Sequence, residues 1–210
     1  MTKPDSIIFD MDGTLWDAVD IYTEAWNRGL SKIMPDRKVT RDEIASMTGW
    51  EKQQVLDQLL PGHPIEVHEK VYEAVNECSP KLMDEMDGIV YEGVKEGLEA
   101  LSKKYRLFIV SNCAAGAIQQ FLKRTGISGY ITDEMAHGVN LQPKHYNIKL
   151  LMEKHGLKNP VYVGDTEGDS RQSRLAGIPF VFMSFGFGRT EIYNMKFDTF
   201  RSFSEYFMAL

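Results

Sequence analysis

Apolar residues recur along this chain in two distinct patterns. The first is Ile7-Ile8-Phe9, an uninterrupted run that stops at Asp10-Met11-Asp12-Gly13. A short continuous apolar run predicts a strand covered on both faces. With a rise of about 3.3 Å per residue and alternating side chains, Asp10 and Asp12 share a side, roughly 6–7 Å apart at Cα. A surface turn of the Asp-Gly type would read the same way locally. The second pattern follows at once, with Trp16, Val19, Tyr22, Trp26, Leu30 and Ile33 falling at steps of three and four. That spacing predicts one face of an amphipathic helix, ended by Pro35.

Thr40-Arg41-Asp42-Glu43 has the form of a capping box, so a second helix starts there and stops near Gly49. A third is expected from about Glu51 to Leu60, and a fourth from about Ile65 to Cys78, before Pro80. Between Trp16 and Met86 the pattern offers no strand, so this stretch reads as an all-helical insertion.

From Gly88 onward strands and helices alternate. Gly93 to Lys104 predicts a helix with Val94, Leu98 and Leu101 inward, then Leu107-Phe108-Ile109-Val110 a buried strand running into Ser111-Asn112. A helix from about Ala115 ends at Gly126, Tyr130-Ile131 reads as a short strand, and Tyr146 to His155 as a helix closed by Gly156. Val161-Tyr162-Val163 is the next buried strand and enters Gly164-Asp165-Thr166-Glu167-Gly168-Asp169. A helix then stops at Gly177, and Phe180 to Met183 is a further strand. Alternation of this kind implies an α/β fold with a doubly wound parallel sheet.

Composition narrows the classes. With 43% hydrophobic and 26% charged residues the chain has the make-up of a globular protein. A net charge of −6 with no basic run argues against binding nucleic acid. No segment approaches the ~20 apolar residues that span a membrane, and the N-terminus lacks a signal-peptide core. Cys78 and Cys113 form neither a disulfide framework nor a zinc spacing, so a reducing cytoplasm is the simplest location. Histidines 63, 68, 137, 145 and 155 show no ligand spacing and read as surface residues.

Three predicted strands end in polar residues: Asp10 and Asp12, Ser111 and Asn112, Asp165 and Asp169. In a parallel sheet these ends share one edge, where open α/β sheets bind ligands. Four carboxylates there repel by roughly 3 kcal/mol per pair at ~5 Å and an effective dielectric near 20. A divalent cation that prefers hard oxygen, Mg²⁺, suits the set and often bridges to phosphate. Such a site suits phosphoryl transfer.

Asp10-Met11-Asp12-Gly13-Thr14-Leu15, followed by Asp17, resembles the first motif of the haloacid dehalogenase superfamily. Val110-Ser111-Asn112 is similar to its second motif, and Val163-Gly164-Asp165-Thr166 with Asp169, Ala176 and Gly177 to its fourth. The helical insertion sits where the phosphoglycolate-phosphatase-like subfamily carries a cap. The resemblance implies a core of residues 1–15 and 87–210 with a cap of 16–86. It also implies a Mg²⁺-dependent phosphatase acting on a small phosphorylated metabolite through an aspartyl-phosphate. Asp10 would be the nucleophile and a metal ligand, and Asp12 the general acid and then base, its carbonyl also binding metal. Asp165 and Asp169 would complete the metal site, and Ser111 and Asn112 would hold phosphoryl oxygens. The expected third-motif lysine is Lys144 of Gln142-Pro143-Lys144-His145, where the order departs from the family's usual Lys-Pro; Lys149 is the fallback.

Thr48-Gly49-Trp50 resembles the cap loop that leans over the active site, so Gly49 and Trp50 are candidate substrate contacts. Trp16 and Trp50 either line the entrance or pack against helices. Asp17 is expected to cap the hinge turn, Cys113 to be a small residue near the phosphate pocket, and Phe185-Gly186-Phe187-Gly188 to form a rim loop, with phosphate contact as a lesser alternative. A phosphosugar mutase shares the same catalytic residues, and a non-catalytic phosphate-binding module shares the fold. The expected assembly is a monomer or homodimer.

Overall fold

A computed structural model describes residues 3–210. The chain divides into two compact units, one of residues Met1–Trp16 and Val90–Leu210, the other of Asp17–Ile89.

The larger unit opens with β1 (Ser6–Phe9), and the chain leaves through β2 (Trp16–Asp17). In the helical unit come α1 (Val19–Ile33), α2 (Arg41–Met47), α3 (Lys52–Leu59) and α4 (Ile65–Glu85), and β3 (Ile89–Val90) leads back. Asp17 accepts from the Val19 amide at 2.9 Å and so opens α1. Trp16 therefore belongs to a strand rather than to the first helix: the turn from Met11 to Trp16 closes on itself, with three amides donating to the Met11 carbonyl, and delays the helix. The capping box at Thr40 is present, its hydroxyl accepting from the Glu43 amide. α1 and α4 approach closely at Gly29, where a Cβ would clash with Val75.

α4 continues through Pro80, where the sequence pattern ends it at Cys78. An internal proline costs about 3 kcal/mol. Burying Leu82 and Met83 beyond it returns roughly 1.5–3 kcal/mol each, so packing carries the helix onward. His68 departs from its expected surface role as well: it is 5% exposed, its Nε2 3.0 Å from the Leu60 carbonyl. It faces inward beside Val71 and Val75 on α4.

Back in the larger unit, α5 (Val94–Ser102) precedes β4 (Arg106–Ser111), α6 (Ala117–Thr125), β5 (Asp133–Ala136), the single turn α7 (His137–Asn140) and α8 (Lys144–His155). Then come β6 (Pro160–Gly164), α9 (Glu167–Ala176), β7 (Phe180–Met183), β8 (Met195–Phe197) and α10 (Phe200–Ala209). Six strands form one parallel sheet in the order β5-β4-β1-β6-β7-β8. The expected strand at Tyr130-Ile131 is instead a 3-10 turn over Ser128–Tyr130. The real strand, Asp133-Glu134-Met135-Ala136, lies at the sheet edge, where charged side chains are tolerated and the apolar signature is lost.

The alternation along the strands gives each face its own core. Ile8, Phe108, Val110, Tyr162 and Phe180 pack on Ile148 and Leu151 of α8 and Ala176 of α9. On the other face the Phe9 ring lies 5.9 Å from both Phe200 and Phe203 of α10. β1 is central and buried on both sides, which fixes the direction in which Asp10 leaves the sheet. Among the described residues no helix is long and apolar enough to cross a membrane.

Candidate active site

The C-terminal ends of β1, β4 and β6 bring the predicted motifs to one edge. Asp10 follows β1 directly, and its amide donates to the Val163 carbonyl at 2.8 Å, which anchors it to the neighbouring strand. Gly13 turns the chain with φ at 84°, in the left-handed region that a side chain resists. It also lies so near Asp165 that a Cβ there would run into the carboxylate.

Asp10, Asp165 and Asp169 are each buried, and one carboxylate oxygen from each lies within 4.8 Å of the others. The Nζ of Lys144, at the first position of α8, sits between two of them, 2.6 Å from Asp169 Oδ1 and 3.1 Å from Asp10 Oδ1. Lys144 is 1% exposed, an environment a lysine enters only when paired. Lys149 lies one and a half turns further along the same helix.

The second sphere is dense. The Oδ2 of Asp165 accepts from the Phe187 amide at 2.8 Å and the Gly188 amide at 3.3 Å, and its Oδ1 from the Thr14 hydroxyl at 3.3 Å. Gly186 makes this possible, since a Cβ there would meet both Asp165 and the Gly13 carbonyl. The Oδ2 of Asp169 accepts from the Thr166 amide and hydroxyl at 3.0 and 2.7 Å, closing a capping box on α9. The Tyr162 hydroxyl donates to the Val110 carbonyl at 2.9 Å and lies 3.4 Å from Asp169 Oδ1. Thr14 and Tyr162 were not singled out as site residues by the motifs, and the 185–188 loop, expected at the rim, instead gives two amides to Asp165. Tyr162 resembles a core aromatic, and amide donors leave no trace in side-chain identity.

Asp12 stands apart from the three-carboxylate cluster, its Oδ1 accepting from the Trp16 indole at 3.0 Å. Ser111 ends β4, buried, with Asn112 following it. Cys113 gives its carbonyl to the Gly138 amide. Its surroundings, and then the charges of Asp12 and Asp10, push its thiol up. Gly49 and Trp50 lie in the helical unit, where Gly49 turns with φ at 85° and Trp50 is 40% exposed.

Burial dominates the electrostatics. It raises the Asp10 carboxyl to about 6; Lys144 opposes the shift and Asp169 adds to it. It raises Asp165 far above the usual range, with Asp169 and Asp10 contributing and the Phe187 and Gly188 amides opposing. Burial disfavours the Lys144 ammonium too, but Asp10 and Asp169 together outweigh it and hold its pKa high. Three carboxylates against one ammonium leave a buried deficit of positive charge. Protons or a dication must fill it.

A family model described as haloacid dehalogenase-like hydrolase matches residues 7–183. The chain is 30% identical over 179 residues to pyrophosphatase PpaX of Listeria innocua, covering 83% of this chain and 80% of that one. It is 27% identical over 193 residues to a phosphoglycolate phosphatase of Photobacterium profundum, covering 86% and 83%. Among solved structures, a predicted phosphatase from Clostridium acetobutylicum superposes with a TM-score of 0.87 at 19% identity, over 100% of both chains. A predicted phosphoglycolate phosphatase from Haemophilus somnus gives 0.84 at 22% identity, over 98% and 99%. Matched across both buried aspartate motifs and the strands that carry them, the chain belongs to the haloacid dehalogenase-like hydrolase family.

Proposed function

We propose that this hydrolase is a Mg²⁺-dependent phosphatase that cleaves a small phosphorylated metabolite, of the phosphoglycolate or sugar-phosphate type, through an aspartyl-phosphate on Asp10. The observation that carries the reading is the trio of buried carboxylates with Lys144 set between two of them. An all-oxygen, charge-deficient donor set fits a hard dication. Asp10 and Asp165, and Asp169 directly or through water, would hold it with the Asp12 carbonyl. When bound, the ion supplies positive charge that draws the phosphoryl group toward Asp10 and stabilises charge on its oxygens.

In the first step a carboxylate oxygen of Asp10 attacks phosphorus, the bond to the leaving oxygen breaks, and Asp12 gives that oxygen its proton. In the second, Asp12 takes a proton from water as the water oxygen attacks phosphorus. The bond to Asp10 then breaks, and inorganic phosphate leaves. Lys144 offsets charge on Asp10 and the phosphoryl group, while Ser111 and the Asn112 amide receive phosphoryl oxygens. The helical unit, with Gly49 and Trp50, is assigned the cap role of selecting the substrate. The printed names of the relatives, a pyrophosphatase and phosphoglycolate phosphatases, support a small phosphorylated substrate and set the panel to try.

The test is release of phosphate from 4-nitrophenyl phosphate with Mg²⁺ or with EDTA, for wild type and Asp10→Asn. Turnover is expected to need Mg²⁺ and to fall at least about a thousandfold in the variant, as for other lost nucleophiles. Full activity in Asp10→Asn would end the reading.

A further inference from the structure

We infer that Trp16 is a positioning residue for the general acid–base group: its indole N–H fixes which carboxyl oxygen of Asp12 serves the leaving group. The inference rests on the phosphatase reading above.

Trp16 is a large side chain placed where nothing about strand or helix formation requires one. It is 1% exposed, and its Nε1 donates to Asp12 Oδ1 at 3.0 Å. A buried indole N–H without a partner would cost about 1–3 kcal/mol, so this bond is the indole's reason to stay. The indole is held independently on two further sides. Its ring lies 4.7 Å from the Phe121 ring of α6. Its backbone is locked by the turn in which the Trp16 amide donates to the Met11 carbonyl and the Trp16 carbonyl accepts from the Gly13 amide at 2.9 Å. Asp12 lies inside that turn, so indole and carboxyl are set by one hydrogen-bonded turn, Met11 to Trp16.

The chemistry follows from the donor inventory. An indole nitrogen only donates. With Oδ1 engaged by Nε1–H, a proton carried by Asp12 sits on Oδ2, so the group delivers and collects its proton from one oxygen. Loss of the indole N–H removes the bond at Oδ1 that orients this carboxyl. General acid catalysis is worth about 10²–10⁴-fold and depends on hydrogen-bond geometry, so loss of the anchor should remove part of that factor. Trp16 is also the last residue of the larger unit before the chain enters the helical one.

Trp16→Phe keeps a ring against Phe121 but removes the N–H together with the second ring of the indole, so it also loosens packing. The measurement is kcat/KM over aryl phosphates graded from 4-nitrophenyl to phenyl, for wild type, Trp16→Phe and Asp12→Ala. A leaving group that departs without a proton needs no acid. Phenyl phosphate is therefore expected to lose about tenfold more kcat/KM than 4-nitrophenyl phosphate in Trp16→Phe, with a steeper leaving-group dependence than wild type. A variant damaged only in packing would lower all members alike. An unchanged dependence in Trp16→Phe beside a steep one in Asp12→Ala overturns the inference. If Asp12→Ala is as shallow as wild type, it is the assignment of Asp12 as acid that fails. The hydrogen bond is then judged without turnover: the Trp16 indole N–H resonance, identified by its absence in Trp16→Phe, should move upfield in Asp12→Ala. A resonance that stays in place refutes the contact itself.

Discussion

Asp10, Asp165 and Asp169 crowd around a single ammonium, and the balance is unfavourable to folding unless something else arrives. The raised Asp10 carboxyl states this in thermodynamic form, since a carboxylate held near 6 is destabilised when ionised at neutral pH. In EDTA at pH 7, Asp10→Asn should therefore stabilise the protein, on the order of 1–3 kcal/mol, although the same variant is expected to lose turnover when Mg²⁺ is present. Lys144→Met should do the opposite and destabilise by about 3–5 kcal/mol, because it strips two buried carboxylates of their counter-charge. Thermal unfolding of the two variants and the double variant forms the cycle. Since Asp10 and Lys144 touch, the effects should fail to add by more than about 0.5 kcal/mol, and strict additivity would contradict the ion pair. The aspartates were legible because two carboxylates ending an apolar strand is a rare pattern, and it occurs twice. Lys144 was legible only as a candidate, since Pro143-Lys144 also describes an ordinary solvated helix start. What decides is that α8 aims its first turn into the carboxylates. The Phe187 and Gly188 amides that hold Asp165 were not legible at all, because any residue supplies an amide.

At the scale of elements, the same distinction separates what periodicity reveals from what it hides. The central strands β1, β4 and β6 are covered on both faces and announce themselves as apolar runs, whereas the edge strand β5 is polar and was displaced by several residues in the sequence reading. α4 outran its proline because the cost of one lost hydrogen bond is local and the burial beyond it is tertiary. The elements predicted from sequence end at Met183 and so do not reach β8 or α10, where Phe200, Phe203 and Phe207 at steps of three and four form a helical face. The polar residues of β5 have a use: Asp133 accepts from Lys154 and His155, both at 2.7 Å, in the last turn of α8. Burial works against this carboxylate, but those two hydrogen bonds and one from the Glu134 amide outweigh it and hold the pKa below 3.8. A depressed folded-state pKa gives stability that is present above the unfolded value and is lost as pH falls through the folded one. Asp133→Asn should then cost about 0.5–1 kcal/mol at pH 7 and little below pH 3, a difference that urea unfolding at the two pH values measures. An equal deficit at both would mean that the carboxylate's charge plays no part in joining α8 to β5.

The whole molecule carries a net charge of −6, yet the proposed substrate is an anion and the site is itself acidic. A net negative charge does not steer an anion in from long range, so under the proposed reading the attraction is local, from Lys144 and the cation. This makes metal binding a property that can be read from stability. A dication that binds only the folded core stabilises it by RT ln(1 + [L]/Kd), about 2.7 kcal/mol at a hundredfold excess over Kd. Its candidate ligands all fall in the unit of residues Met1–Trp16 and Val90–Leu210, and none in Asp17–Ile89. The tryptophans divide the same way, Trp16 in the first unit and Trp26 and Trp50 in the second, so each unit has its own fluorescent reporter. Mg²⁺ should raise the melting transition followed at Trp16 in a variant with Trp26 and Trp50 replaced by Phe. Any separate transition followed at Trp26 or Trp50 should move less. Asp165→Asn should abolish the shift, because it removes a ligand around which Gly13, Thr14 and the 186–188 backbone are built. A Mg²⁺ shift that survives Asp165→Asn undiminished would put the ion elsewhere on this acidic chain, and the buried carboxylates would then need protons rather than a metal to balance them.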